Sequence, residues 1–230
     1  MTATSHPGNR ITKPRVLLVA EAVTLAHFGR IVTLAGSLDP DRYDISVASD
    51  PRYLGLEQPL PYDFHDIQSI PSAQFTCALA IGKAVYDLRT LDQYVAEYLQ
   101  LLDRVQPDLV VGDFRLSLAV SAPLRAVRYA SVVNAYWSPH ADIAYPVPDL
   151  PFTRLLGLKL SQRLFNLVRP LAFAAHAQPL NRLRRRYGLA PVGNDLRQAY
   201  TWADYTLYAD IAGAVPMADL PSSHMYLGPV

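Results

Sequence analysis

Hydrophobic and polar positions change period several times along this chain, and each change marks an element. RVLLVAE (15–21) is a short run of branched apolar residues, the pattern of a strand buried on both faces, and HFGRIVTLAGSL then repeats Ile31, Leu34, Ala35 and Leu38 at helical spacing. YDISVAS (43–49) reads as a second strand. A proline-rich loop, DPRYLGLEQPLP, leads into YDFHDI (62–67), a candidate third strand. Two helical stretches follow, Ala73 to Val85 and Asp87 to Val105. The second stops at Gln106-Pro107, because a residue before proline is pushed out of the helical region. DLVVGD (108–113) is a fourth buried strand, followed by a helix from about Leu116 to Arg128 and a fifth strand, YASVVNA (129–135).

AYWSPHADIAYPVPDLPF is a long loop rich in aromatics and prolines. From about Arg154 the helical pattern runs through RLLGLKLSQRLFNLV, is expected to pause at Pro170, and resumes from Pro179 to Tyr187. Gly188 can close that helix in the left-handed conformation. DYTLYAD and HMYLGPV look like two last strands. Strands alternating with helices imply an α/β fold, a Rossmann-like parallel sheet with helices on both faces. The expected organisation is a polar tail over residues 1–13 and a single domain over 14–230.

Composition adjusts this picture. The 230 residues are 50% hydrophobic, enough for a sizeable core, and the net charge of +1 argues against nucleic acid as a partner, since phosphate binding needs a basic surplus. Charge is uneven, however. Leu150 to Asn194 holds eight basic residues (Arg154, Lys159, Arg163, Arg169, Arg182, Arg184, Arg185, Arg186) and no acidic one, leaving the remainder at −7. Cys77 is the only cysteine, which suits a reducing cytoplasm. The N-terminal MTATSHPGNRITKPR has no apolar h-region, and Glu21 interrupts the apolar run after it, so neither a signal peptide nor a membrane span is expected.

The candidate chemistry lies where ligands collect in such sheets, at the carboxyl ends of the strands. His27 follows the first strand and Asp113 ends the fourth. A carboxylate bonded to one imidazole nitrogen fixes the tautomer and leaves the other nitrogen to take a proton from a hydroxyl. Two plainer readings stand beside it: a histidine satisfied by nearby backbone, and an aspartate acting only as a helix cap. Neither GxGxxG nor GxxxxGK[ST] is present to hold phosphates, which makes a nucleotide-dependent oxidoreductase a weak alternative. His65 and His140 have no close His/Cys/Asp spacing that would support a metal site. His176, in LAFAAHAQPL, reads as a core histidine.

The order of VLLVAEAVTLAHFGRIVTLAGSL, PDLVVGDFRLSLAVSA, ASVVNAYWSP and MYLGPV resembles the N-terminal half of GT-B glycosyltransferases, in particular those that glycosylate small lipophilic acceptors. The resemblance implies a catalytic base at His27, an orienting partner at Asp113, and direct displacement at the anomeric carbon with inversion and without a metal ion. The family usually has a Gly-His pair with a proline three residues on; here Ala26 precedes His27 and Arg30 stands in the proline's place. It also implies that the nucleotide-sugar donor, expected to be a UDP-sugar, is held not by this chain but by a C-terminal donor domain supplied in cis or in trans. On that reading the chain is an acceptor-binding half, a truncated piece or one product of a split gene.

The acceptor pocket is expected from loops at the same edge, with Tyr53, Phe75, Tyr136, Trp137, His140 and Tyr145 offering flat apolar surface with polar tips; packing onto the sheet is the alternative for most of them. The basic segment 154–186 has two readings. It can lie on an anionic membrane where a lipid-like acceptor is met, or pack its apolar face onto its own domain with the arginines in solvent. For the whole chain, the alternative to an enzyme half is a non-catalytic binding or interaction module that keeps the fold.

Overall fold

The computed structural model describes residues 13–56, 60–147 and 151–230. Its centre is a seven-stranded, wholly parallel sheet built from β1 (Arg15–Ala20), β2 (Asp44–Ser49), β3 (Asp63–Asp66), β4 (Leu109–Asp113), β5 (Arg128–Val133), β6 (Tyr205–Tyr208) and β7 (His224–Tyr226). Their spatial order is β3-β2-β1-β4-β5-β6-β7. Every strand expected from the pattern is present. The order reverses direction between β1 and β4, so the loops leaving these two neighbours diverge and open a crevice at their carboxyl ends.

The helices are α1 (Leu25–Ser37), α2 (Ser72–Ala80), α3 (Leu88–Val105), α4 (Leu118–Leu124), α5 (Pro151–Leu156), α6 (Leu158–Arg186) and α7 (Leu196–Tyr200). Short 3-10 turns occupy Pro51–Leu56, inside the segment read as loop, and Ala135–Trp137. Two buried clusters sandwich the sheet. One joins Leu17, Val19 and Val110 to α3, α4 and the C-terminal end of α6; the other joins Val16, Leu18 and Val47 to α1. α3 is the best defined of the helices: Asp87 caps it by accepting from the Thr90 N–H, and Gln106 ends it in the left-handed conformation.

Three expected helices differ from the pattern. α2 stops at Ala80, where Gly82 adopts a positive φ, rather than running to Val85. α4 is shorter than the expected Leu116–Arg128 because Pro123 sits in its last turn and Ala126 turns left-handed. Pro170 does not interrupt the long helix. α6 carries both Pro170 and Pro179 through 29 residues, since each proline removes one backbone donor while the neighbouring turns stay bonded. Gly188 closes it at φ +72°, with Leu189 N–H donating to the Arg184 carbonyl and Gly188 N–H to that of Arg185, a Schellman arrangement.

The two halves of α6 differ in burial. Ala177, Leu180 and Leu183 are buried against the domain, whereas Leu158, Leu167 and Leu171 are exposed, at 67%, 76% and 74%. The expectation that this segment packs its apolar face onto its own domain therefore holds only for its C-terminal end. No described helix is long and apolar enough to cross a membrane.

Candidate active site

β1 ends at Ala20 and the chain turns through Glu21–Val23 to Thr24, whose extended backbone opens α1. His27 lies on the first turn of that helix rather than in the loop before it. Arg30 and Ile31 follow at i+3 and i+4, so one face of α1 presents His27 and Arg30 to the sheet edge while Ile31 anchors it in the core. β4 delivers Asp113 to the same edge, where its side chain is 1% exposed.

These residues meet. His27 Nδ1 is 2.8 Å from Asp113 Oδ1. Arg30 donates to the same carboxylate through Nε to Oδ2 at 2.8 Å and through Nη2 to Oδ1 at 2.9 Å. Its Nη1 donates to Asn134 Oδ1 at 3.0 Å, and Nη2 also lies 2.8 Å from His27 Nδ1. A carboxylate buried this deeply requires charge-assisted partners, and the planar guanidinium fork supplies two at once.

Phe114, next in the chain, adopts φ +56°, a conformation costly for a bulky residue. It turns the ring back over the site, stacked on the His27 imidazole with centroids 5.2 Å apart and planes 8° from parallel. Phe75 meets Phe114 edge-on and Tyr200 packs on it at 5.4 Å. With Tyr136 and Trp137 they wall a cleft of about 620 Å³, counting its solvent-open mouth, with His27, Arg30 and Asp113 among its lining. Burial pushes the Tyr200 hydroxyl well above the usual phenol range, so that ring is a neutral wall.

Of the residues expected in an acceptor pocket, Phe75, Tyr136 and Trp137 line this cleft. Tyr53, His140 and Tyr145 do not. Tyr53 packs on the buried Phe28, against the cluster that joins α1 to the sheet. His140 stands edge-on to His224, because the chain from Ser138 to Ala141 turns back towards the Pro216–Ala218 segment. Tyr145 supports the pocket from behind: its hydroxyl donates to the Tyr136 carbonyl at 2.6 Å and its ring packs against Phe173. His176 is half-buried, with Nδ1 2.7 Å from the Ala172 carbonyl. Among the described residues, no three His, Cys, Asp or Glu side chains group as a metal site.

The pattern did not single out Arg30, Phe114, Asn134 and Tyr200 as members of the site. Arg30 had a visible signal, its i+3 spacing from His27; the others are placed by strand ends and packing. Beneath the site is a second unread group. Arg115 and Glu21 are both fully buried and paired at 3.2 Å, Tyr86 donates to Glu21 at 2.8 Å, and Arg115 also donates to the Ala20 and Gln68 carbonyls. This network ties the end of β1 to the 68–70 loop.

A parallel sheet in this order, with a histidine and an aspartate meeting at its β1/β4 switch, is a Rossmann-like fold of the kind that forms one half of solved glycosyltransferases. The chain is 49% identical over 229 residues, 100% of its own length and 51% of the relative's, to a PGL/p-HBAD biosynthesis rhamnosyltransferase of Mycobacterium bovis (strain BCG / Pasteur 1173P2). It is 48% identical over 218 residues, 95% of this chain and 60% of the relative, to a protein of the same strain named as an inactive PGL/p-HBAD biosynthesis glycosyltransferase. The chain thus spans about half the length of the curated relatives it matches. Among solved structures, the kitacinnamycin glycotransferase superposes with a TM-score of 0.61 at 15% identity, covering 94% of this chain and 52% of that one. Phytolacca americana UGT2, solved with UDP-2-fluoro-glucose and pterostilbene, does so at 0.55 and 13%, covering 96% and 55%. No family model matches the chain.

Proposed function

We propose that this chain is the N-terminal, acceptor-side half of an inverting glycosyltransferase in which His27 is the general base. The observation that carries the reading is the 2.8 Å contact between His27 Nδ1 and Asp113 at the edge of an aromatic cleft. When Nδ1 carries the proton and gives it to Asp113 in a hydrogen bond, Nε2 presents a lone pair to an acceptor hydroxyl. The acceptor oxygen attacks the anomeric carbon as the bond to the nucleoside diphosphate breaks on the opposite face. The hydroxyl proton ends on Nε2, and Asp113 stabilises the imidazolium. One displacement inverts the configuration.

The aromatic walls suit a lipophilic acceptor. The donor is a nucleotide sugar, UDP-linked as in the complex with Phytolacca americana UGT2, and the 49% identical relative's name makes rhamnose the leading sugar. The donor is held by a C-terminal domain, a division supported by the roughly twofold length of the relatives. Leu155, Leu158, Leu167 and Leu171, interleaved with Lys159, Arg163 and Arg169, supply a contact with an anionic membrane where a lipid-like acceptor is met. That contact is confined to the first half of the 154–186 segment.

The test is turnover by the complete enzyme, this chain together with its donor half. His27→Ala should lower kcat by roughly 10²–10⁴ with folding intact, the usual contribution of a general base, and Asp113→Asn should also slow transfer strongly. A wild-type rate in His27→Ala removes His27 from the mechanism. No transfer by the wild-type pair with any nucleotide sugar and lipophilic alcohol would favour the non-catalytic module.

A further inference from the structure

Three atoms at the site form a triangle that a single imidazole proton cannot satisfy. His27 Nδ1 lies 2.8 Å from Asp113 Oδ1 and 2.8 Å from Arg30 Nη2, and Arg30 Nη2 lies 2.9 Å from that same oxygen. A guanidinium offers only donors and keeps its charge at any ordinary pH, so its contact with Nδ1 is a hydrogen bond only when Nδ1 is bare. The contact with Asp113 is a hydrogen bond only when Nδ1 carries a proton. The two bonds belong to opposite tautomers, and they place the ring proton on opposite sides of the imidazole.

Charge decides between them. Asp113 already receives two charge-assisted N–H bonds from Arg30, which neutralise the carboxylate and weaken its pull on a third proton. A proton on Nδ1 would face a cationic N–H at 2.8 Å with no lone pair to receive it. Arg30 has little freedom to withdraw, because Nη1 is tied to Asn134 at 3.0 Å and the residue is 9% exposed. The ring is fixed as well, stacked flat on Phe114.

We propose that Arg30 is a positioning residue that sets the tautomer of His27: in the empty site it donates to Nδ1 and holds the imidazole proton on Nε2, the nitrogen with no hydrogen bond among the described residues. In that state the ring offers a donor, not a base, to the cleft. The base is armed only in the other tautomer, reached by proton exchange with water: Nε2 releases its proton, Nδ1 takes one directed at Asp113, and the Nη2 contact with Nδ1 lengthens while Arg30 stays bound to Asp113 and Asn134. This rests on the reading of His27 as the base, yet the tautomer can be measured without any transfer reaction.

The experiment is long-range ¹H–¹⁵N correlation spectroscopy of the uniformly labelled 230-residue chain at alkaline pH, where imidazoles are neutral, with the His27 signals assigned by their loss in His27→Gln. The wild-type chain should show the downfield shift of a bare nitrogen at Nδ1 and a protonated Nε2. Arg30→Met should reverse the pattern, because Asp113 then has no competitor for the Nδ1 proton. Arg30→Gln, which keeps an N–H for Asp113 but loses the cationic fork, provides the comparison should Arg30→Met not fold. A protonated Nδ1 in the wild-type chain, or a pattern that neither substitution changes, overturns the proposal. A bare Nδ1 in a chain whose complete enzyme is indifferent to His27→Ala would leave the tautomer assignment standing and remove only the base.

Discussion

Glu21 and Arg115 illustrate how much a single pair can hold when both partners leave water. Each is fully buried, Arg115 lies over the rings of Tyr94 and Tyr98, and its fork reaches two backbone carbonyls and the Ser69 hydroxyl. Replacing a whole ion pair by apolar residues can be neutral, but removing one partner strands the other charge. Glu21→Gln should therefore cost about 3–5 kcal/mol, read as a lower urea midpoint at unchanged slope. A cost near zero would mean that Tyr94, Tyr98 and the carbonyls satisfy Arg115 unaided. The sequence marked Glu21 only as a break in an apolar run, because its partner is 94 positions away and pairing at that range leaves no trace in local pattern. His27 and Asp113 were legible for the opposite reason: Asp113 ends a readable strand and His27 opens the readable helix that follows another.

Among the elements, α6 shows where propensity and tertiary context part. Its proline at 170 reads as a stop, yet the helix continues, and its end is set instead by Gly188 in a conformation that costs other residues roughly 1–2 kcal/mol. Gly188→Ala should lower stability by about that amount, measured as a fall in thermal midpoint, while leaving the buried Leu180 and Leu183 in place. The helix of five residues at Leu196–Tyr200 was not read at all. It is too short for a periodic signal and stands on its Asp195 cap, which accepts from the Arg197 N–H, together with burial of Leu196 and Ala199.

For the molecule as a whole, the exposed leucines of α5 and α6 form the surface least explained by folding. If they meet a membrane, the chain should sediment with phosphatidylglycerol vesicles at low salt and be released as salt screens the basic residues. Leu167→Asp combined with Leu171→Asp should abolish sedimentation without lowering the melting temperature, since both side chains are largely in solvent. Binding unaffected by the double substitution would assign the face to something other than lipid.

The sequence by itself determined the strands, the alternation that makes the sheet parallel, and the edge at which His27 and Asp113 meet. Those follow from periods of two to four residues and from short-range turn rules. Tertiary structure decided which aromatics wall the cleft, sending Tyr53 onto the buried Phe28, His140 towards β7 and Tyr145 behind Tyr136. It also decided that Arg30 shares Asp113 with His27. These contacts depend on where strand ends and loops come together in three dimensions, across separations of 83 and 86 residues for Asp113 alone, and local pattern carries no information about them.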